Sequence, residues 1–169
     1  SANGKRLFFR IEDVETFSVK LNKFKKFPNI FSAKSIYTMA SVDFSYNEID
    51  GFEGADDGTY NGIKVSTLTL NNNPYLTKYP KCLAETNSTV GYVSLRGCSI
   101  DEIPEGSFVY ENSPSLMSLD LSYNNLDKFP REMHAGNLPY LYGVDVSYNR
   151  FSSFPWEPLD SFYLTVLSV

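Results

Sequence analysis

Apolar positions recur along the chain in one arrangement that returns about every 25 residues. In the clearest copy, Leu119 and Leu121 alternate with small polar residues, Asn124 follows, and Phe129-Pro130 ends the copy. The paired apolar positions fall at 17/19, 42/44, 68/70, 93/95, 119/121, 144/146 and 167/169. An internal period of this length indicates a repeat architecture in which each copy forms one structural unit.

The alternation predicts a short strand in each copy, with both apolar side chains on one face. One copy cannot bury its apolar row alone, but stacked copies can, so the strands should form one parallel sheet. We expect strands near residues 16–19, 41–44, 67–70, 92–95, 118–121, 143–146 and 166–169. The proline after the last apolar position suits a turn onto the outer side, where short helical turns and irregular chain are expected.

A polar residue closes each strand and is predicted to face inward. A turning backbone leaves N–H and C=O groups there, and an amide side chain supplies both acceptors and donors for them. These positions form a ladder: Asn22, Asn47, Asn73, Cys98, Asn124 and Asn149. The other cysteine, Cys82, is predicted on the outer side, where it should react with thiol reagents faster than Cys98.

These motifs resemble those of leucine-rich repeat proteins, and the resemblance covers the chain from about Val14 to Val169. It implies an α/β fold: a right-handed solenoid, or horseshoe, with a concave parallel sheet and short helical or irregular convex segments. Residues 14–169 would then be one domain of six repeats and a truncated seventh, and residues 1–13 the lead-in of a preceding repeat. We therefore expect a fragment of a longer solenoid, whose open ends favour end-to-end self-association.

The residue motifs within the repeats indicate a particular group of leucine-rich repeat proteins. Asp-x-Ser-Tyr-Asn, then Phe-Pro, then Leu-Pro-Tyr-Leu is most similar to the large surface leucine-rich repeat proteins of Bacteroidetes-type gut bacteria. That similarity implies a bacterial protein that is exported, extracellular or on the cell surface, and lipid-anchored in its full-length form.

Charge is uneven along the chain. Residues 1–34 hold eight Lys and Arg against three acids, whereas residues 35–169 hold seven against seventeen. Four lysines crowd the first copy: Lys20, Lys23, Lys25 and Lys26. Such a run is most often a solvated rim, and the alternative is a patch for an acidic partner. Because most of the chain is acidic, nucleic acid is not expected as a partner.

The sequence argues against catalysis. His134 is the only histidine and is predicted on the convex side, whereas a triad needs it beside a nucleophile. Metal sites of several His or Cys lack their ligands, and no Gly-rich phosphate loop occurs. Asp120 and Asp145 share one slot of adjacent strands, but with no enclosing cleft we interpret them as surface residues. No catalytic residue, cofactor, metal site or membrane-spanning segment is therefore expected.

The concave face remains as the candidate site. Its exposed positions are rich in Tyr, Ser, Asn and Asp, a mixture typical of binding surfaces. The candidate binding residues are Asp43, Tyr46, Tyr92, Arg96, Asp120, Tyr123, Tyr142, Asp145 and Tyr148. The favoured function is a non-enzymatic recognition scaffold for a protein or peptide. A glycan-binding module and a structural spacer within a larger surface protein stay open as alternatives.

Overall fold

The computed structural model describes residues 15–29, 39–54, 62–84, 88–108, 115–133, 137–153 and 166–169. These residues form short strands and one 3₁₀ helix, at Lys81–Ala84. The strands are β1 (Thr16–Ser18), β2 (Lys26–Phe27), β3 (Met39–Asp43), β4 (Gly51–Phe52), β5 (Val65–Thr69), β6 (Tyr92–Ser94), β7 (Ser118–Asp120), β8 (Gly143–Asp145) and β9 (Val166–Ser168). The predicted lead-in at 1–13 lies outside the described residues.

One parallel sheet runs the length of the molecule, in the order β1-β3-β5-β6-β7-β8-β9. The register pairs equivalent positions of successive copies, so Leu119 lies between Val93 and Val144. All seven predicted strands are therefore confirmed, although β3 and β5 each begin two residues before the predicted start. Leu119 and Leu121 both face the core, as the alternation predicts.

A second, narrower parallel ladder lies on the far side of the core. Strands β2 and β4 pair there, and an isolated parallel bridge joins Lys78 to Glu102 in the following copies. This ladder follows from the last apolar position of each copy, because Phe27 and Phe52 point inward and hold neighbouring backbones in register. The alternation pattern does not predict these strands, since two residues are too few to show it.

The core is a continuous row of apolar side chains between the two ladders. In the first copies it is aromatic: Phe44 packs against the rings of Phe17, Phe24 and Phe27, with centroids 5.9, 5.6 and 5.0 Å away. In later copies Leu70, Leu95 and Leu121 take the place of Phe44, and all are buried. Each fully buried side chain of this size stabilises the fold by roughly 1.5–3 kcal/mol relative to exposure.

The predicted ladder forms through the middle of the molecule. Asn73 is fully buried; its Oδ1 accepts the Ile49 N–H at 3.0 Å, and its Nδ2 donates to the carbonyls of Phe44 and Leu70. Asn47 and Asn124 repeat this pattern. Asn149 makes the same bonds while half-buried. Each amide thus joins its own turn to the preceding turn.

Asn22 makes the local part of this pattern. Its amide donates to the carbonyls of Val19 and Lys20, as that of Asn47 does to the carbonyls of Phe44 and Ser45. Its side chain is exposed in the first described turn, unlike that of Asn47, which is buried beneath the turn before it.

The prediction for Cys82 was wrong. Both cysteines are buried and neither is in a disulfide. Cys82 is buried because it lies in the 3₁₀ helix, which turns its side chain toward the core. Cys98 takes the ladder position as predicted, and its thiol donates to the Leu70 carbonyl at 3.3 Å. Burial raises the pKa of the Cys98 thiol to about 11.

We therefore expect both cysteines to react slowly with a thiol reagent at pH 8 in the native protein. The thiolate is the reactive form, and burial both excludes the reagent and, at Cys98, disfavours that form. Mass spectrometry of labelled protein, with a urea-unfolded sample as the control, gives the two rates. Native labelling of Cys82 as fast as in urea would contradict its burial.

Candidate functional site: the concave face of the sheet

Each turn that follows a concave strand has one residue in the left-handed backbone region. These residues occupy the position just before the ladder: Leu21, Tyr46, Asn72, Gly97, Tyr123 and Tyr148, with φ from 55° to 65°. Bulky side chains rarely adopt this conformation. The turn requires it, because only this kink lets the next residue point inward while the tyrosine points out to solvent. The turn thus explains the inward asparagine and the outward direction of the residue before it, but it does not select a tyrosine, since Leu21, Asn72 and Gly97 hold the same position.

The aspartates of the Asp-x-Ser-Tyr-Asn motif stabilise the same turn. Asp120 Oδ1 accepts the N–H of Ser122 at 2.9 Å and its hydroxyl at 2.6 Å. Asp145 makes the same two bonds to Ser147, and Asp43 accepts the N–H of Ser45. Each carboxylate is half-buried. These candidate binding residues therefore have a structural task in addition to any contact with a partner.

Three side chains form what we call the aromatic column: Arg96, Tyr123 and Tyr148. The rings of Tyr123 and Tyr148 stack with centroids 4.1 Å apart and planes inclined by 18°. The Arg96 guanidinium lies 4.0 Å from the centroid of the Tyr123 ring, and its Nη1 donates to Ser122 Oγ at 2.9 Å. A hydrogen bond with Tyr123 raises the pKa of Tyr148.

Gly97 explains why Arg96 can join the column. Gly97 stands in the position that Tyr123 and Tyr148 hold in later turns, so one ring is missing there. An added Cβ at Gly97 would lie 2.7 Å from Asn72 Oδ1, closer than real contacts allow. The missing ring leaves room over Tyr123, and the guanidinium of the preceding residue fills it.

A second aromatic pair, the tyrosine bridge, lies at the other end of the same strands. Tyr142 donates a hydrogen bond to the Tyr92 hydroxyl at 3.3 Å, and this bond raises the pKa of Tyr142. Tyr92 is the first residue of β6 and Tyr142 directly precedes β8, so the two side chains reach toward each other past β7. Small residues allow this approach: Ser118 and Gly143 lie at the register positions that follow Tyr92.

Between the column and the bridge lies a polar floor of Ser94, Asp120 and Asp145. Tyr92 and Arg96 are four residues apart on one chain, which is about 13 Å of extended backbone. The Ser94 hydroxyl lies 2.7 Å from Asn71 Oδ1 and 3.1 Å from Asp120 Oδ2, so it joins neighbouring strands. The concave face over β6 to β8 is thus a shallow polar surface with exposed aromatic side chains on two sides.

Two predicted residues lie apart from this surface. Asp43 and Tyr46 belong to the turn after β3, nearer the first copies. Lys20 forms an ion pair with Asp43 at 2.7 Å. Burial would raise the pKa of Asp43, but the hydrogen bonds from Lys20 and Ser45 outweigh it and hold that pKa below its usual value. The same bond raises the pKa of Lys20. The structure therefore groups seven of the nine candidates and separates these two.

The basic rim is partly neutralised by acidic neighbours. Besides the pair at Lys20, Lys26 contacts Asp50 at 2.9 Å. Exposed pairs of this kind add little stability, but they lower the positive charge of the patch. Lys25 lies with Glu48, Asp50 and Tyr75 around a surface hollow of mixed charge. The geometry of the rim thus fits a solvated edge better than an anion site.

The described residues contain no group of three or more His, Cys, Asp or Glu placed to hold a metal ion. His134 lies outside them. No helix among the described residues has the length and apolar character to cross a membrane.

A carboxylate clasp between turns escaped the sequence reading. Both carboxylate oxygens of Glu132 accept the N–H of Gly106 at 2.9 Å, and one also accepts that of Phe108. Glu53 accepts the N–H of Asn29 in the same way, across one repeat. The spacing of about 25 residues between acceptor and donor is the available signal, but acids on an outer surface are too common for it to stand out.

The geometry defines a class: a right-handed solenoid with a concave parallel sheet and an inward asparagine ladder. The chain belongs to the leucine-rich repeat family. The sequence profile described as Leucine Rich Repeat matches residues 115–135, the copy with the clearest motif. No curated protein sequence matches the chain.

Two solved structures are similar over most of the chain. A leucine-rich repeat protein from Bacteroides eggerthii DSM 20697 is 41% identical over 92% of this chain, with a TM-score of 0.80. One from Bacteroides thetaiotaomicron VPI-5482 is 41% identical over 86%, with a TM-score of 0.71. The chain spans 26% and 18% of the lengths of those proteins. Leucine-rich repeat proteins are in general non-enzymatic scaffolds for protein interaction.

Proposed function

We propose that this chain is a non-enzymatic recognition module that binds a protein or peptide on its concave face, outside a bacterial cell. The observation that carries the proposal is the aromatic column. Tyr123 and Tyr148 stand exposed on the concave side although nothing in the core requires aromatic rings there. Stacking holds both rings in one orientation, so little side-chain entropy remains to be lost when a partner binds.

Fixed tyrosines beside adaptable serine hydroxyls are a combination that binding surfaces use. The rings supply large contact areas, and serine, asparagine and aspartate adapt their hydrogen bonds to the partner. The tyrosine bridge adds a second aromatic contact about 13 Å along the strand from Arg96. A partner that reaches both is long enough to be a peptide segment or a protein loop.

Within the column, the Tyr123 ring favours a peptide over a glycan. Sugars bind tyrosine by packing on an open ring face, but Tyr123 has Arg96 over one face and Tyr148 over the other. The ring edge and the hydroxyl remain available, and they suit backbone amides and apolar side chains of a peptide. Glycan binding is therefore the alternative that the binding experiment must distinguish from peptide binding.

The location rests on the similarity of the repeat wording to exported proteins. The Bacteroides relatives, at 41% identity, support the bacterial origin on which this proposal depends. Treatment of intact source cells with a protease, followed by immunoblotting, tests it. Loss of the protein while a cytoplasmic marker survives is the expected result, and full protection would contradict an exposed location.

Replacing both Tyr123 and Tyr148 by alanine is expected to weaken binding by 2 kcal/mol or more, about 30-fold, because aromatic anchors dominate interface energies. A random-peptide display library and a glycan array, screened in parallel with the wild-type chain, supply the ligand. Calorimetry then compares wild type with the double variant. Tyr75→Ala is the matched control, since Tyr75 is equally exposed but lies in the turn beyond the ladder.

Two results would overturn this assignment. If glycans bind and peptides do not, the ligand class is a glycan and the proposed peptide partner is wrong. Binding that survives the double tyrosine variant but is lost on mutating Lys23, Lys25 and Lys26 would place the site on the basic rim.

A further inference from the structure

We infer that Arg96 is the receptor for a single carboxylate of the bound peptide, an Asp or Glu side chain or a chain terminus. The inference rests on the proposed function and specifies the chemical groups that the partner must carry. The partner is a segment with one acidic group among neutral or basic residues, whose neighbouring apolar side chains contact the tyrosines.

Arg96 occupies a variable position of the repeat. The same position holds Ser45, Ser122 and Ser147 in three turns and Lys20 and Asn71 in two others. Lys20, the other cation at this position, is neutralised by Asp43, whereas the contacts of Arg96 with Tyr123 and Ser122 leave its charge without a counter-ion in the described part of the chain. Among the described residues no carboxylate lies within ion-pair distance of Arg96, in contrast with the paired Lys20 on the same face.

The guanidinium is held ready for a planar anion. Stacking on Tyr123 fixes its plane, and the bond from Nη1 to Ser122 fixes its rotation. Arginine presents its donors as a rigid fork that matches the two oxygens of a carboxylate. Because the fork is already oriented, a partner loses little of its binding energy in ordering it.

Asn71 places a second donor beside Arg96. It holds the equivalent position on the preceding turn, about 4.8 Å away. Its Oδ1 must face the backbone, since it accepts the Arg96 N–H at 2.9 Å. The Nδ2 group therefore points elsewhere, and the structure shows no acceptor for it among the described residues. A guanidinium next to an unpartnered amide N–H is a donor-rich spot on an otherwise acidic face.

Electrostatics limits the partner to few acidic groups. The chain has a net charge of −5, and Asp120 and Asp145 lie on the floor beside Arg96. A strongly acidic partner would be repelled by this field. A partner with one carboxylate on Arg96 and neutral or basic residues over Asp120 and Asp145 is complementary both to the positive guanidinium and to the negative floor.

The test uses peptides enriched from the random-peptide library on the wild-type chain. The strongest binder and its Asp→Asn or Glu→Gln version are titrated by calorimetry against wild type, Arg96→Gln and Arg96→Lys. With wild type, loss of the carboxylate should weaken binding at least tenfold, as expected for a charge-assisted hydrogen bond. With Arg96→Gln the same change should alter affinity less than about twofold. Arg96→Lys should recover only part of the loss, because lysine lacks the fork.

The failures are distinguishable. Enriched peptides without an acidic group, or equal losses with wild type and Arg96→Gln, overturn the inference. The proposed function then stands if Tyr123→Ala still weakens the same peptides. No enriched peptide, or peptides indifferent to Tyr123→Ala, overturns both. Circular dichroism of each variant confirms that the fold is kept.

Discussion

Replacing Asn124 by alanine is expected to lower the free energy of unfolding by about 3 kcal/mol. The side chain is buried, and its Oδ1 accepts the Ile100 N–H at 3.0 Å. Its Nδ2 donates to the carbonyls of Leu95 and Leu121 at 2.9 and 3.0 Å. Alanine leaves these backbone groups without their partner inside the core, and each unpaired buried group costs about 1–3 kcal/mol.

Urea denaturation followed by circular dichroism measures the difference. Asn22→Ala is the matched control, because Asn22 holds the same repeat position but is exposed, and its sequence neighbours Val19 and Lys20 accept its amide bonds. It should cost less than about 1 kcal/mol. Equal midpoints for Asn124→Ala and wild type would show that water replaces the amide and that the ladder adds no stability.

Much of the fold follows from the sequence because a solenoid repeats its contacts. The alternation at Leu119 and Leu121 fixes which face is buried, and the period places each strand beside its equivalent. One well-read copy therefore predicts the register of all seven strands. The ladder follows from the same logic, since a turn at the same point of each copy needs the same amide.

The errors come from positions where the environment departs from the repeat. Asn22 matches the motif and makes its local bonds, but it is exposed because no described turn lies before it. Cys82 follows the last apolar position of its copy, where no periodic pattern predicts which side chains face the core. The 3₁₀ helix turns it inward. Sequence spacing specifies a position along the chain; what lies across from that position is a property of the stacked neighbours.

The candidate site was predicted in its members but not in its geometry. Tyr123 and Tyr148 could be assigned to one slot, yet the left-handed backbone that exposes them is not visible in a tyrosine. Asn72 and Gly97 in the same slot are the signals that could have revealed it, because both residue types favour this conformation. The stack of Arg96 on Tyr123 can be predicted only once Gly97 is known to occupy the tyrosine position, where it leaves the ring of Tyr123 uncovered.

Replacing Phe44 by alanine is expected to cost about 4 kcal/mol. Phe44 is almost completely buried and joins three other rings, including Phe27 at 5.0 Å between centroids. The surrounding rings relax only partly, so the loss of the Phe44 ring leaves a cavity in addition to the lost burial. The free energy of unfolding in urea is again the measurement.

Phe44→Leu is the matched control, because leucine is the residue at the equivalent positions 70, 95 and 121. It should cost about 1.5 kcal/mol or less, since most of the volume is kept. Hydrogen exchange adds a positional readout. Stability in a solenoid passes mainly between neighbouring turns, so Phe44→Ala should accelerate amide exchange in β1 and β3 more than in β7 and β8. Uniform acceleration along the sheet would instead show that the whole stack unfolds as one cooperative unit.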